Sequence, residues 1–155
     1  MIDVFVSRPI WLPPVLKANI PELYTLLESL GANPRTVGTS EVPMRTPFDE
    51  AKDLMERCKC TIVLGTHQII AGDVKVKGVP RERMILPSEW NQVEATMSLM
   101  LGHPTLVLLH EHVAARGVFE RGAANLFIHG FDARQKHWAI KLKPALVALL
   151  ARVAR

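Results

Sequence analysis

The chain has 155 residues, 48% hydrophobic and 22% charged, which is the balance of a soluble globular protein with material for one core, and a single domain over 1–155 is expected. No apolar run approaches the roughly 18 residues of a membrane-spanning helix, and no signal peptide is legible, so a cytoplasmic protein with no membrane partner is expected. The formal charge of +4 gathers late in the chain, at Arg134, Lys136, Lys141, Lys143, Arg152 and Arg155. These residues read as the solvated face of an amphipathic helix. They can attract an anionic nucleotide, but no aromatic side chains interleave with them, so a nucleic-acid partner is not expected.

In chain order, Ile2 to Val6 is a β-branched and aromatic run that predicts a strand, ending at Ser7-Arg8-Pro9. Leu23, Leu26, Leu27 and Leu30 recur at helical spacing, and Gly31 stops them. A short strand is expected within 33–37, followed by a loop over 38–46. Pro47 opens a helix with Ala51, Leu54, Met55 and Cys58 on one stripe. Thr61 to Leu64 reads as a buried strand. Residues 65–87 read as a long irregular stretch with a brief strand at Met84 to Leu86. Ser88 then caps a helix whose core stripe is expected to be Val93, Met97, Met100 and Leu101. Thr105 to Leu109 is another buried strand. Leu126-Phe127-Ile128 fits either a strand or a helical turn. Leu142, Leu146, Leu149, Leu150 and Val153 mark a last helix. Strand and helix alternate, which predicts an α/β domain with a mainly parallel sheet.

Ligands of such sheets bind beyond the carboxyl ends of the strands. The Ser7-Arg8-Pro9 tip, the loop after Leu64 and the start of the Ser88 helix all meet that condition, so they are expected to meet in space. Within that region Trp90 and Glu94 lie four residues apart and share a helical face with Asn91, Met97, Ser98 and Leu101. A carboxylate at the border of an apolar stripe loses water, and its pKa rises toward that of a base or nucleophile. The bland alternative is a surface glutamate, with Trp90 as an edge-of-core anchor and Ser88 as an N-cap with Asn91 at the capping-box position.

With no Gly-x-Gly-x-x-Gly and no Walker-type loop, phosphate binding would fall to side chains such as Arg8, Arg45 or Arg81. His110 and His112 would point the same way on an extended chain, but they lack a third ligand, so no metal site is expected. Cys58 and Cys60 flank one lysine and read as a buried thiol and a partly exposed neighbour.

The run Ile2 to Ser7 resembles the first strand of Toll/interleukin-receptor (TIR) domains. Phe48 to Leu64 resembles their second helix and following strand, and Ser88 to Glu94 resembles their Ser-x-Trp-Cys-x-x-Glu signature, with Asn91 in place of the cysteine. The resemblance implies a flavodoxin-like three-layer sandwich with helices on both faces. It implies cleavage of the nicotinamide-ribose bond of NAD as substrate, with no cofactor. Glu94 is then the catalytic residue, and Ser7, Arg8, Pro9, Trp90, Asn91 and Ser98 are substrate-binding. The segment 38–47 would cover the pocket and help self-assembly. The implied partners are NAD or a related nucleotide, and other copies or anti-phage defence proteins.

Two rival readings remain. The run Glu94-Ala95 to Gly102-His103-Pro104-Thr105-Leu106-Val107 also resembles nucleoside 2-deoxyribosyltransferases, which place a nucleophilic glutamate on a similar helix, although their upstream aspartate is missing here. The other rival is a non-catalytic nucleotide-binding or protein-interaction module.

Overall fold

A computed structural model of the chain describes residues 1–40 and 42–154, so Glu41 and Arg155 lie outside the described residues. Five parallel strands form the central sheet: β1 (Ile2–Ser7), β2 (Ala32–Arg35), β3 (Cys60–Gly65), β6 (Thr105–His110) and β7 (Phe127–Phe131), in the order β2-β1-β3-β6-β7. Between β3 and α3 lies an antiparallel hairpin of its own, β4 (Ile69–Val76) and β5 (Val79–Leu86). The helices are α1 (Pro14–Ser29), α2 (Pro47–Arg57), α3 (Glu89–Met100) and α4 (Lys143–Ala151). Among the described residues, no helix is long and apolar enough to cross a membrane.

The arrangement is an α/β/α sandwich of flavodoxin-like type: the parallel sheet is what the strand-helix alternation predicts, and the three layers are what the resemblance implies. Strands β3 and β6 run almost wholly buried because helices cover both faces. Val4, Val6, Ile62, Leu64, Leu106 and Leu108 face one way and pack with Leu16, Ile20, Leu23 and Leu27 of α1 and Leu146 and Leu149 of α4. On the opposite face, Phe5 packs with Ala51, Leu54 and Met55 of α2 and with Met97 of α3, while Val63 and Val107 pack with Ala95. The α2 stripe and the α4 leucines are as expected.

Three expectations change. Residues 65–87 are an ordered hairpin rather than an irregular loop. Lys77 and Gly78, at φ 49° and 79°, are both left-handed, the geometry of a two-residue type I′ turn. The Lys-Gly pair between alternating valines is the local signal for it. Cys58 and Cys60 are both buried, so neither thiol is partly exposed.

The third change concerns α3. Its buried residues are Asn91, Ala95, Met97 and Ser98, whereas Val93 sits at the surface and Met100 is 84% exposed. The helix is rotated toward its polar side because strand residues supply hydrogen-bond partners for the polar groups that it buries. That rotation brings Glu94 over the sheet.

Candidate active site

The sheet order reverses around β1: β2 lies to one side of it and β3 to the other. At that switch point the three expected segments do meet. They wall a cavity of about 390 Å³ that includes Arg8 and Pro9 after β1, Gln68 after β3, and Ser88, Trp90, Asn91 and Glu94 at the start of α3. A hollow of about 370 Å³ at the end of β7 has two carboxylates near it, Glu111 and Asp132. Both are committed to Arg134, whose guanidinium holds Asp132 well below the usual carboxylate range.

Glu94 differs from those two. Burial pushes its carboxyl up to about 7, against the smaller opposing effect of a hydrogen bond from the Ser7 side chain. Near neutral pH both the protonated and the charged form of this carboxyl are therefore populated.

The Ser7 hydroxyl is held by a short chain of polar contacts. Ser88 caps α3: its Oγ accepts from the Asn91 backbone N–H at 3.2 Å, and it donates to Asn91 Oδ1 at 3.0 Å. The Ser88 backbone N–H also donates to Asn91 Oδ1, completing the capping box with Asn in the position usually held by Glu or Gln. With Oδ1 engaged twice, Asn91 turns Nδ2 inward, where it donates to Ser7 Oγ at 2.9 Å. Ser7 thus receives one proton and keeps its own for Glu94. The cap that starts the helix and the group that orients the carboxylate share one side chain, Asn91, which is 1% exposed.

Two tryptophans stand at the mouth. Trp90 is 44% exposed and lines the cavity instead of anchoring a core edge. Trp11, in the loop after β1, lines it too and is 61% exposed. Its carbonyl accepts from Gln68 Nε2 at 3.1 Å, which ties the β1 and β3 loops together. Pro47, the last residue of the segment expected to cover the pocket, and Val37, which immediately precedes that segment, are also in the lining. Arg8 is the single cation of the lining and Glu94 its single carboxylate, among the described residues.

Ser98 is not part of this cavity. It is fully buried, and its hydroxyl shares a 2.7 Å hydrogen bond with Thr105, so it fastens α3 to β6. Arg45 is paired with Asp53 and Glu50 on α2, and Arg81 lies on the hairpin, so neither joins Arg8. His110 ends β6 while His112 lies in a turn at φ 67°, so the two do not share an extended segment. His110 instead meets His67 edge-on, with ring centroids 4.8 Å apart.

Sequence reasoning missed Trp11 and Gln68. Trp11 carried a usable signal, a large aromatic just past a strand tip; Gln68 carried none.

No protein-family model matches the chain, and no curated protein matches it by sequence. Solved structures do. A CMP N-glycosidase from Clostridium botulinum is similar over 92% of this chain and 98% of its own, with a TM-score of 0.60 and 17% identity. The fold is shared. A 2-deoxyribosyltransferase from Bacillus psychrosaccharolyticus is similar over 93% of this chain and 95% of its own, with a TM-score of 0.52 and 11% identity. At these identities the likeness is one of architecture.

Proposed function

We propose that this protein cleaves the N-glycosidic bond of a nucleoside or nucleotide, with Glu94 acting at the anomeric carbon. The observation that carries this reading is a desolvated carboxylate, oriented by Ser7, inside the cavity at the sheet's switch point. Cleavage of this bond builds positive charge on the sugar ring, and a carboxylate in a water-poor cavity stabilises that charge or bonds to the carbon. In the covalent version the Glu94 carboxylate attacks C1′, and the glycosidic bond breaks with its electron pair leaving on the base. Water or a second base then attacks C1′ and frees Glu94. Trp11 and Trp90 offer faces against which a planar base can rest. Arg8 is placed for a phosphate oxygen, which favours a nucleotide over a nucleoside. The two similar folds, from a nucleotide N-glycosidase and a deoxyribosyltransferase, support the same class of bond.

NAD is the second reading, and one feature of the lining favours it. Among the described residues Glu94 is the single carboxylate of the lining, and none of them offers a second carboxylic acid to protonate a departing base. Nicotinamide carries its own positive charge in NAD and leaves neutral without one. Release of an ADP-ribose-type signal in anti-phage defence, with self-assembly or partner proteins as the trigger, belongs with this second reading and the TIR resemblance.

The test is to incubate the purified protein separately with CMP, dCMP, deoxycytidine plus a spare purine base, and NAD, and to follow free base by mass spectrometry. Release from CMP or dCMP supports the first reading, and release from NAD alone moves the assignment to the second. Base release that is equal in wild type and Glu94→Gln removes Glu94 from the mechanism. No release from any substrate removes the enzyme reading.

A further inference from the structure

The hairpin β4–β5 contributes little to the core, yet it builds a second concave surface. Arg81 and Arg83 are alternate residues of β5, so their side chains leave the same face of the ribbon. The segment after β6 closes against that face through a 2.8 Å bond from the Ala114 N–H to the Ile85 carbonyl, and it brings Arg116 and His112 with it. The result is a cavity of about 270 Å³ whose lining includes three arginines and His112 and, among the described residues, no carboxylate. Arg81, Arg83 and Arg116 make no side-chain hydrogen bond or ion pair with any described residue. Other arginines in this protein do find acids: Arg45 pairs with Asp53 and Glu50, and Arg134 with Asp132 and Glu111. Glu82 lies between Arg81 and Arg83 in sequence but leaves the opposite face of the strand. Glu111 sits 3.7 Å from His112 but pairs with Arg134 and lines the separate hollow at the end of β7. Three like charges converge on one hollow at a cost that a bound anion would reverse.

We propose that this hollow binds a small anion carrying two or more phosphate groups, at a site separate from the Glu94 cavity. Guanidinium forks match phosphate oxygens, and three of them exceed what one phosphate needs. Val76, Met84 and Ile85 supply apolar wall beside the arginines. A single-stranded polynucleotide fits less well: neither hairpin strand carries an aromatic residue on which bases could stack. The hairpin that carries Arg81 and Arg83 begins beside Gln68, whose N–H donates to the Leu86 carbonyl at 3.0 Å, and leads into the Ser88 cap, while the two cavities share no lining residue.

Titration calorimetry with tripolyphosphate at physiological salt tests the proposal on the wild-type chain and on Arg81→Gln/Arg83→Gln, Arg116→Gln and Arg8→Ala. Saturable binding that weakens roughly tenfold or more in the Arg81→Gln/Arg83→Gln and Arg116→Gln variants, and that persists in Arg8→Ala, is the expected result. Their melting curves identify any variant that has lost its fold, and the Arg116→Gln chain reports independently of the hairpin. Absence of binding to wild type overturns the proposal. So does binding that is lost only in Arg8→Ala, which would place the anion in the Glu94 cavity. A twelve-nucleotide single strand that binds more tightly than tripolyphosphate through the same arginines overturns the small-ligand assignment.

Discussion

At the residue scale, Glu94 couples chemistry to stability. The unfolded chain loses the Glu94 proton near the ordinary glutamate value of 4.5, and the folded chain only at about 7. Between those values the native state holds more protons than the unfolded state, so stability falls as pH rises, by up to about 3 kcal/mol. Above the upper value the charged carboxylate stays buried at full cost. Glu94→Gln removes that cost while keeping the shape. The variant is expected to melt at a higher temperature than wild type at about pH 8 and at nearly the same temperature at about pH 5; equal melting at both pH values would show that the carboxylate is well solvated. If Glu94 is the nucleophile, the same variant loses turnover on the order of 10²–10⁴-fold. Ser7 acts in the opposite direction to burial, since its hydrogen bond lowers the Glu94 pKa. Ser7→Ala should therefore move the acid limb of the kcat/KM profile to higher pH, and an unmoved limb would break the link between Ser7 and Glu94.

At the element scale, α3 and the hairpin carry the argument. Reading apolar spacing alone gives α3 the wrong inner face, because a polar group that is fully hydrogen-bonded packs as well as an apolar one. Asn91 finds Ser7, and Ser98 finds Thr105, but those partners lie 84 and 7 residues away. Periodicity has no access to such pairs. The N-cap was legible, since it depends on neighbours three residues apart. Ser88→Ala should cost about 1 kcal/mol in urea unfolding and should also loosen Asn91, so that the Ser7→Ala shift in the pH profile is partly reproduced. A normal profile in a destabilised Ser88→Ala chain would separate capping from positioning. In the hairpin, Gly78 sits at φ 79° with nothing within 4 Å of an added Cβ, so strain and not collision decides a substitution there. Gly78→Val is expected to cost roughly 1–2 kcal/mol locally. Hydrogen exchange should quicken in β4 and β5 and stay slow in β3 and β6; uniform quickening would mean that the hairpin and the sheet unfold as one unit.

At the scale of the whole molecule, the buried central strands are expected to be the unit that opens last. Cys60 is fully buried in β3, and burial pushes its thiol up to about 12, with Cys58 at about 11 for the same reason. Reaction of these thiols with a disulfide reagent should therefore follow global unfolding, and should quicken in urea in step with loss of helical signal. Fast labelling of the native chain would show that β3 opens locally.

The sequence by itself determined the parallel sheet, the strand tips, the Ser88 cap and the neighbourhood of Glu94, because each follows from local spacing and from the rule that ligands sit beyond strand ends. It also held the Lys77-Gly78 turn, whose meaning was masked by the polar residues around it. Only the tertiary structure decided which face of α3 looks inward, that Asn91 hands its amide to Ser7, that Trp11 joins Trp90, that Ser98 belongs to packing, and that Arg81, Arg83 and Arg116 share one hollow. Each of these depends on contacts between different elements of the fold, and such contacts are fixed by how the layers settle on one another.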